Sequence, residues 1–353
     1  IEGTRFKSEL LPLTQLNGVA QDVARILEIS PHATVKDYED IIARLRTVPT
    51  LIDQTLVLLR QGLTAGITPP RITLRDVPKQ VEPQTIADVE KNPLFAPFKE
   101  FPPSISEAER QRLRREASAA IKDKAAPAFA KLHEFLTKEY LPGARKTIAM
   151  TALPDGAAWY AYNARVSTTT TMTPEQIHEL GLSEVKRIRA EMEKVMASTG
   201  FKGSLNEFSK FLREDPRFYF TNAADLVTSY RDISKRADPE LAHLFGKLPR
   251  LQYGVKVIPQ YSEQSQTTAY YQPGSPSAGR PGYYMVNTYA LNTWPKWEME
   301  ALSLHEAVPG HHLQIALQQE LLNVPNFRRF DFFNAYLEGW ALYSERLGLE
   351  VGF

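Results

Sequence analysis

The sequence predicts a mainly α-helical protein of the α+β class, with a small β element beside the helices. Over most of the 353 residues, apolar side chains recur every three or four positions after recognisable N-terminal caps, which is typical of amphipathic helices. Alternating β-branched and aromatic residues occupy only short stretches. With 43% hydrophobic and 24% charged residues, the chain has the composition of a globular protein with a sizeable core. We expect two regions, residues 1–150 and residues 151–353.

The charge balance and the lack of cysteine exclude several classes of function. The 42 basic and 41 acidic residues leave a net charge of +1, so no overall field attracts nucleic acid. No apolar stretch approaches the roughly 18 residues of a transmembrane helix. Because the sequence contains no Cys, disulfides and thiolate metal sites are excluded, and His, Asp and Glu remain as the strong metal ligands.

Residues 1–150 are predicted to be mostly helical. Thr34 is a suitable N-cap for a helix whose apolar residues recur at helical spacing through Ile52. Prolines then become too frequent for a helix, so we expect residues 67–104 to be an irregular segment that wraps the surface.

Two helices and a turn lead from the first region into the second. The capping-box pattern that begins at Ser106 opens a charged helix that runs to about Ala126, and a second helix follows Pro127. The Leu-Pro-Asp-Gly sequence at 153–156 is a turn signal. The aromatic residues directly after it, at 159–162, resemble a strand.

The second region should contain further helices and two short strands. Thr173 combines an N-cap with a following Pro and a capping partner, ahead of a long helical apolar pattern. Residues 205–213 and 222–245 also have helical patterns. Residues 253–258 and 283–287 are the strand candidates.

Three of the seven histidines lie within eight positions of each other. In zinc hydrolases with a His-Glu-x-x-His sequence, positions i and i+4 share one helix face, so that two imidazoles bind one ion beside the Glu. Here His305 and Glu306 are followed by His311 and His312, a spacing that an unbroken helix does not bring together. The Pro-Gly pair at 309–310 allows two inserted residues to bulge out, which returns His311 to the i+4 role. The alternative is a pair of surface or capping histidines beside a kinked helix.

A helix predicted at 333–350 offers a third ligand. Its apolar stripe, which we expect to be core, comprises Phe333, Tyr336, Leu337, Trp340, Tyr343 and Leu347. The opposite stripe comprises Glu338, Leu342, Glu345 and Leu349. If this mixed stripe is buried, its carboxylates need a proton, a cation or a metal. If it is solvated, the helix is an ordinary amphipathic one.

Together these two segments resemble a known family, the bacterial domain-of-unknown-function family eight-eight-five. The similar segments are His305-Glu306-Ala307-Val308-Pro309-Gly310-His311-His312-Leu313-Gln314 and Glu338-Gly339-Trp340-Ala341-Leu342-Tyr343-Ser344-Glu345. The family is regarded as metallopeptidase-like, and it resembles helical zinc peptidases. The resemblance implies Zn²⁺ held by His305, His311 and Glu338, with Glu306 as the general base. It covers residues 150–353 well and the first region loosely.

The resemblance has consequences for substrate, location and length. It implies a peptide substrate and a periplasmic or cell-envelope location, while a cytoplasmic location stays open. Family members are longer than this sequence, so we expect that a C-terminal part is missing or that a second chain completes the fold. An open cleft beside His305, or a polypeptide packed against Trp340 and Glu345, is therefore expected.

Several residues are weaker candidates for orienting ligands or binding substrate. They are Glu345, His312, Tyr343, Arg280, Tyr283 and Tyr284. Glu345 could accept an imidazole N–H from a ligand or order the helix pair. Arg280 could bind a substrate carboxylate, although Arg in a Gly-Pro turn is more often structural. Tyr283 and Tyr284 alternate on a strand, so that one faces the site and the other the core, and this strand could pair with an extended peptide.

These patterns favour a zinc-dependent hydrolase, above all a metallopeptidase. A zinc amidase or esterase is the first alternative, since the same water activation serves any acyl transfer. A helical binding or scaffold lipoprotein with a structural metal, or with none, is the second. An open coordination position favours an enzyme, whereas a closed four-ligand site favours the scaffold.

Overall fold

The computed structural model describes residues 2–260 and 262–353, which divide into two compact units, Ile1–Tyr160 and Ala161–Phe353. The division lies at Tyr160, compared with the expected boundary near residue 150. Helices dominate both units, and one small sheet belongs to the second. The predicted fold class, mainly α with a small β element, is confirmed. In the described part of the chain, every helix is too short or too polar to span a bilayer.

Helix α2 is the central helix of the first unit. The helices of this unit are α1 (Val19–Ile29), α2 (Val35–Ala65), α3 (Val77–Val81), α4 (Glu107–Ala120), α5 (Ala126–Phe135), α6 (Leu141–Gly143) and the start of α7 (Gly156–Thr168). Thr34 caps α2 as predicted, because its Oγ1 accepts a hydrogen bond from the Asp37 amide and Asp37 in turn accepts one from the Thr34 amide. The helix runs past Pro49 and ends at Gly66, whose φ of 69° suits glycine.

The expected break near Pro127 is wrong, because the chain stays helical there. A π-helical turn over Ile121–Ala125 joins α4 to α5, and a second one over Leu136–Tyr140 joins α5 to α6. Pro127 and Pro142 each follow one of these wider turns. The widened turn relieves the clash between a proline ring and the carbonyl four residues earlier, so that the helix continues.

The segment 67–104 is irregular as predicted, but it does more than wrap the surface. Apart from α3, it consists of turns and short 3₁₀ helices. Leu94, Phe95 and Phe98 on one of these turns are almost fully buried, and the Phe98 ring lies 5.7 Å from the ring of Tyr38 on α2. Because large apolar side chains stand between the prolines, this segment supplies part of the core.

The strand predicted at 159–162 is wrong, because these residues belong to helix α7. Trp159 is buried and stacks on Phe6 with ring centroids 5.6 Å apart, whereas Tyr160 is half exposed. A helix that packs on one side needs to bury only one side chain per turn, as α7 does here. A run of four aromatic or small residues is too short to distinguish helical periodicity from the alternation of a strand.

The second unit contains the remaining helices and the sheet. Its helices after α7 are α8 (Pro174–Ser198), α9 (Leu205–Glu214), α10 (Ala223–Leu244), α11 (Met299–Glu306), α12 (His311–Gln319), α13 (Asn326–Phe330) and α14 (Asn334–Leu347). Thr173 forms the predicted capping box with Gln176 at the start of α8. None of the α8 residues is buried, so its apolar stripe faces outward.

The sheet has three strands in the order β1-β3-β2. They are β1 (Tyr253–Val257), β2 (Ala269–Gln272) and β3 (Gly282–Val286). The central strand β3 is parallel to β1 and antiparallel to β2. Because β3 is paired on both sides, the expectation that it adds a peptide strand is wrong, and only β1 and β2 have an outer edge. Residues of α10, α11 and the sheet share one apolar core.

Candidate metal centre

The His-rich segment forms two helices joined by a turn. Helix α11 ends at Glu306, and α12 begins at His311. The His312 amide donates to the Ala307 carbonyl at 3.0 Å, so a backbone hydrogen bond closes the turn between the two helices. A Cβ on Gly310 would lie 1.8 Å from the His305 carbonyl oxygen. The two inserted residues therefore do not bulge from one helix but separate two helices, at a point where only glycine allows the backbones to approach.

The turn and helix α14 bring three possible metal ligands together. One donor atom each of His305, His311 and Glu338 lies within 4.8 Å of the others. His305 Nε2 is 3.4 Å from Glu338 Oε2, and His311 Nε2 is 3.8 Å from Glu338 Oε1. The two imidazole rings stand at 87° to each other. His311, rather than His312, thus lies beside Glu338.

The shorter of these distances matches the donor separation around one tetrahedral zinc ion, and the longer one exceeds it by a few tenths of an ångström. Two donors at about 2.1 Å from zinc and at a tetrahedral angle lie about 3.4 Å from each other. Burial, aided by the charge of His305, lowers the pKa of His311 to about 4, and the neutral imidazole is the form that binds metal. The Glu338 side chain is 49% exposed, which leaves the cluster open on one side. Zinc binding itself stays a prediction.

Glu345 fixes the orientation of the first histidine. Its Oε1 lies 2.8 Å from His305 Nδ1, so the other ring nitrogen is directed towards Glu338. Glu338 and Glu345 are seven positions apart on α14 and share one helix face. A carboxylate on the far nitrogen of a metal-binding His selects its tautomer and raises its basicity.

Glu306 adjoins the donors and the edge strand β2. Its side chain is only 8% exposed. Burial raises the pKa of Glu306 to about 7, against the opposing effect of His305. The carboxylates of Glu338 and Glu345 raise this pKa further, whereas the Tyr271 backbone amide on β2 lowers it. A buried carboxylate with a pKa near neutrality can take up and release a proton at physiological pH.

The structure places His312 away from the donors. Its Nδ1 lies 2.9 Å from the Tyr271 hydroxyl on β2, and its ring lies 4.6 Å from that of Tyr253 on β1. The residue is 2% exposed, and burial lowers its pKa to about 4. His312 therefore anchors α12 to the sheet.

Most of the weaker candidates also lie outside the donor cluster. Arg280 donates to the Pro273 carbonyl at 2.8 Å and so braces the turn before β3. The Tyr283 ring lies beneath the Lys256 ammonium at 5.4 Å.

Tyr343 is half exposed beside Trp340. Tyr284 is fully buried against Tyr230, and burial, helped by the nearby carboxylate of Glu306, raises the pKa of its hydroxyl.

The core stripe predicted on α14 is buried only in part: Leu347 is buried as expected, and Trp340 packs partly buried against a core cluster. The aromatic residues Phe333, Tyr336 and Tyr343 are more than half exposed, so the expectation that they form core is wrong. The face that packs on α11 carries Ala341 and Ser344, both fully buried. These short side chains let the two helices approach closely, which brings the carboxylates of the same face to His305. Leu342, on the flank of this face, and Leu349, in the 3₁₀ turn after α14, are exposed.

Sequence reasoning missed three contributors to the site. Strand β2 was overlooked, although Thr267, Thr268, Tyr270 and Tyr271 have the β-branched and aromatic character of a strand. Ser303 lies three positions before Glu306, and its buried hydroxyl faces the hydroxyl of Tyr284. Trp340 was treated as an apolar residue, but its indole nitrogen donates to the Pro309 carbonyl at 2.8 Å.

Comparisons with known proteins agree with this architecture. A crystal structure described as the "putative lipoprotein" from Colwellia psychrerythraea superimposes with a TM-score of 0.90 at 28% sequence identity. The match covers 97% of this chain and 60% of that one, so the chain spans less than two thirds of that protein. No curated protein matches the sequence. The family model described as "Bacterial protein of unknown function (DUF885)" matches residues 2–353, which confirms the resemblance in the sequence, and the chain belongs to this family.

Proposed function

We propose that this protein is a zinc-dependent hydrolase, and more narrowly a metallopeptidase. The observation that carries the proposal is the convergence of His305, His311 and Glu338 beside the buried carboxylate of Glu306. Three protein ligands leave one position of a tetrahedral ion free, as in catalytic zinc sites. Glu338 is half exposed, which gives a substrate access to the cluster.

The chemistry divides between the ion and the protein. When bound, zinc would polarise a substrate carbonyl, acidify a water molecule and favour the ionised form of Glu306. Glu306 would accept a proton from the attacking water and pass it to the leaving amine. Glu345 would hold the imidazole of His305 in the tautomer whose Nε2 faces Glu338.

The edge strand β2 supports a peptide over other acyl substrates. Its outer edge has no strand partner among the described residues, and the Tyr271 amide interacts with Glu306. An extended peptide that added to β2 would run alongside Glu306. An ester or a small amide has no comparable run of backbone groups, so amidase or esterase activity is the second candidate.

A location in the cell envelope is part of the proposal. The description of the Colwellia psychrerythraea protein as a lipoprotein supports this location. We also propose that further polypeptide, from a longer chain or from a partner, packs beside the site. The exposed side chains of Leu342, on the same helix as Glu338 and Glu345, and of Leu349, in the 3₁₀ turn that follows this helix, support this view.

Metal analysis combined with a peptide digest tests the function. The chain purified without chelators should contain one zinc ion per molecule and should cleave a peptide mixture, as read by mass spectrometry. A chelator should abolish cleavage, and added zinc should restore it. Hydrolysis of ester or small-amide substrates alone would reassign the substrate class. A chain that binds zinc in a closed four-ligand site, or binds none, would favour the scaffold.

A further inference from the structure

We propose that Trp340 is a positioning residue that holds the turn at 307–310 and thereby sets the spacing between His305 and His311. This inference rests on the proposed metal centre. It adds to that centre a residue that is not itself one of the three donors. We infer this role of Trp340 from one hydrogen bond of its indole and from the position of the acceptor in the chain.

The acceptor lies within the segment that separates the two histidines. Trp340 Nε1 donates to the Pro309 carbonyl at 2.8 Å across 31 residues of sequence. Pro309 is buried, so its carbonyl depends on a protein donor. The bond thus connects α14 to the middle of the turn from α11 to α12.

Helix α14 also holds the segments on both sides of this turn. Before the turn, Glu345 bonds to His305 at 2.8 Å. After the turn, the Gln314 side-chain amide donates to the Tyr336 carbonyl at 2.8 Å. The donor Glu338 comes from the same helix. One rigid helix therefore sets α11, the turn and α12 relative to Glu338, and Trp340 supplies the central contact.

The turn has little room to move without disturbing the donors. The hypothetical Cβ of Gly310 lies 1.8 Å from the His305 carbonyl oxygen, so the backbones of the turn and of α11 are in close contact. A shift of the Pro309 carbonyl must therefore displace His305 or His311. Zinc sites tolerate only about 0.2 Å in their ligand distances, so a small shift weakens binding.

A second tryptophan provides a matched control. Trp294 Nε1 donates to the Tyr289 carbonyl at 2.7 Å, which is the same kind of bond elsewhere in the second unit. Trp340→Phe and Trp294→Phe each remove one indole N–H and keep an aromatic ring. Their comparison separates the loss of such a bond in general from its loss at the turn.

The test measures metal binding by the full chain, without reference to catalysis. Zn²⁺ affinity is measured by competition with a chromophoric chelator, and Co²⁺ absorption reports the coordination geometry. Trp340→Phe should lower the zinc affinity at least about tenfold, as loss of an orienting partner does, and should change the Co²⁺ spectrum. Trp294→Phe should leave the zinc affinity and the Co²⁺ spectrum of the wild type unchanged.

The outcomes are distinct from those of the hydrolase test. A Trp340→Phe protein with wild-type affinity and spectrum overturns the inference, even if its metal-free form melts earlier. If this variant fails to fold, Trp340→benzothienylalanine replaces the N–H with sulfur, keeps the ring shape and is held to the same criterion. A wild-type chain without zinc affinity overturns both the metal centre and this role. Tight zinc binding without hydrolysis contradicts only the hydrolase.

Discussion

His305 Nδ1 lies 2.8 Å from the carboxylate of Glu345, which is 40 positions later in the sequence. The contact leaves Nε2 of the same ring facing Glu338 at 3.4 Å. One helix, α14, thus provides both a possible ligand and the group that orients another. The packing of α14 on α11 therefore determines the geometry of the site.

Replacing Glu345 should weaken metal binding without removing a ligand. Without the carboxylate, the His305 ring loses its fixed tautomer and orientation, so Glu345→Ala should lower zinc affinity about 10- to 100-fold. Glu350→Ala, an exposed carboxylate just after α14, is the control and should leave the affinity unchanged. Competition with a chelator measures both. Equal affinities for the two variants would contradict the orienting role.

Glu306→Gln should separate metal binding from catalysis. The change keeps the size of the side chain but removes the base, so zinc should stay bound while peptide turnover falls by at least about 10². Glu300→Gln alters a carboxylate of the same helix that pairs with Arg236, and it should keep full turnover. Zinc content and turnover are measured on the same samples. Loss of zinc in Glu306→Gln would make this residue a ligand, and unchanged turnover would assign the base elsewhere.

Gly310→Ala should disrupt the turn between the two helices. The new Cβ would meet the His305 carbonyl, and such overpacking typically costs about 1–3 kcal/mol or more. We expect a lower free energy of unfolding and a loss of zinc affinity. Gly339→Ala, in α14, is the control, because its added Cβ would meet no atom within 4 Å other than its chain neighbours and the backbone of its own helix. This control should stabilise the chain by up to about 1 kcal/mol. Denaturant unfolding measures the free energy of unfolding, and titration measures the zinc affinity. A Gly310→Ala protein with the stability and zinc affinity of the wild type would contradict the close approach of Gly310 to His305.

His32 should make the first unit sensitive to acid. Burial lowers the pKa of His32 from 6.5, although Asp37, the Leu27 backbone and Glu28 act in the opposite direction. Because the unfolded chain binds this proton more readily, the contribution of His32 to stability is complete above about pH 6.5 and is lost as the pH falls below it. His32→Gln should therefore reduce the slope of the unfolding free energy against pH in that range.

The control for this pH dependence is His178, an exposed histidine of α8. His178→Gln should keep the wild-type slope, since this exposed side chain keeps its contact with water when the chain folds. Urea unfolding at several pH values from about 5 to 7.5 provides the measurement, because this range covers the pH at which an ordinary imidazole changes its charge. If the His32→Gln slope equals that of the wild type, burial of His32 has no effect on acid stability.

Features encoded within a few neighbouring residues were predicted from the sequence. The capping boxes at Thr34 and Thr173 form as expected, because cap and partner are three residues apart. The same holds for the helical period of α9 and α10 and for the strands β1 and β3. The failures at residues 159–162 and at Pro127 arose where a short pattern fits two structures, and where a π turn relieves a proline clash that the sequence does not reveal.

The amino-acid sequence establishes which chemical groups are available: no thiol, and a cluster of His and Glu in two segments. How these groups meet depends on the packing of separate elements. This packing turned His311 towards Glu338 and His312 towards the sheet, and it placed the face of α14 with Ala341 and Ser344 on α11. Helical periodicity is fixed by hydrogen bonds four residues apart, whereas these contacts depend on how closely separate helices can pack, which no local pattern records.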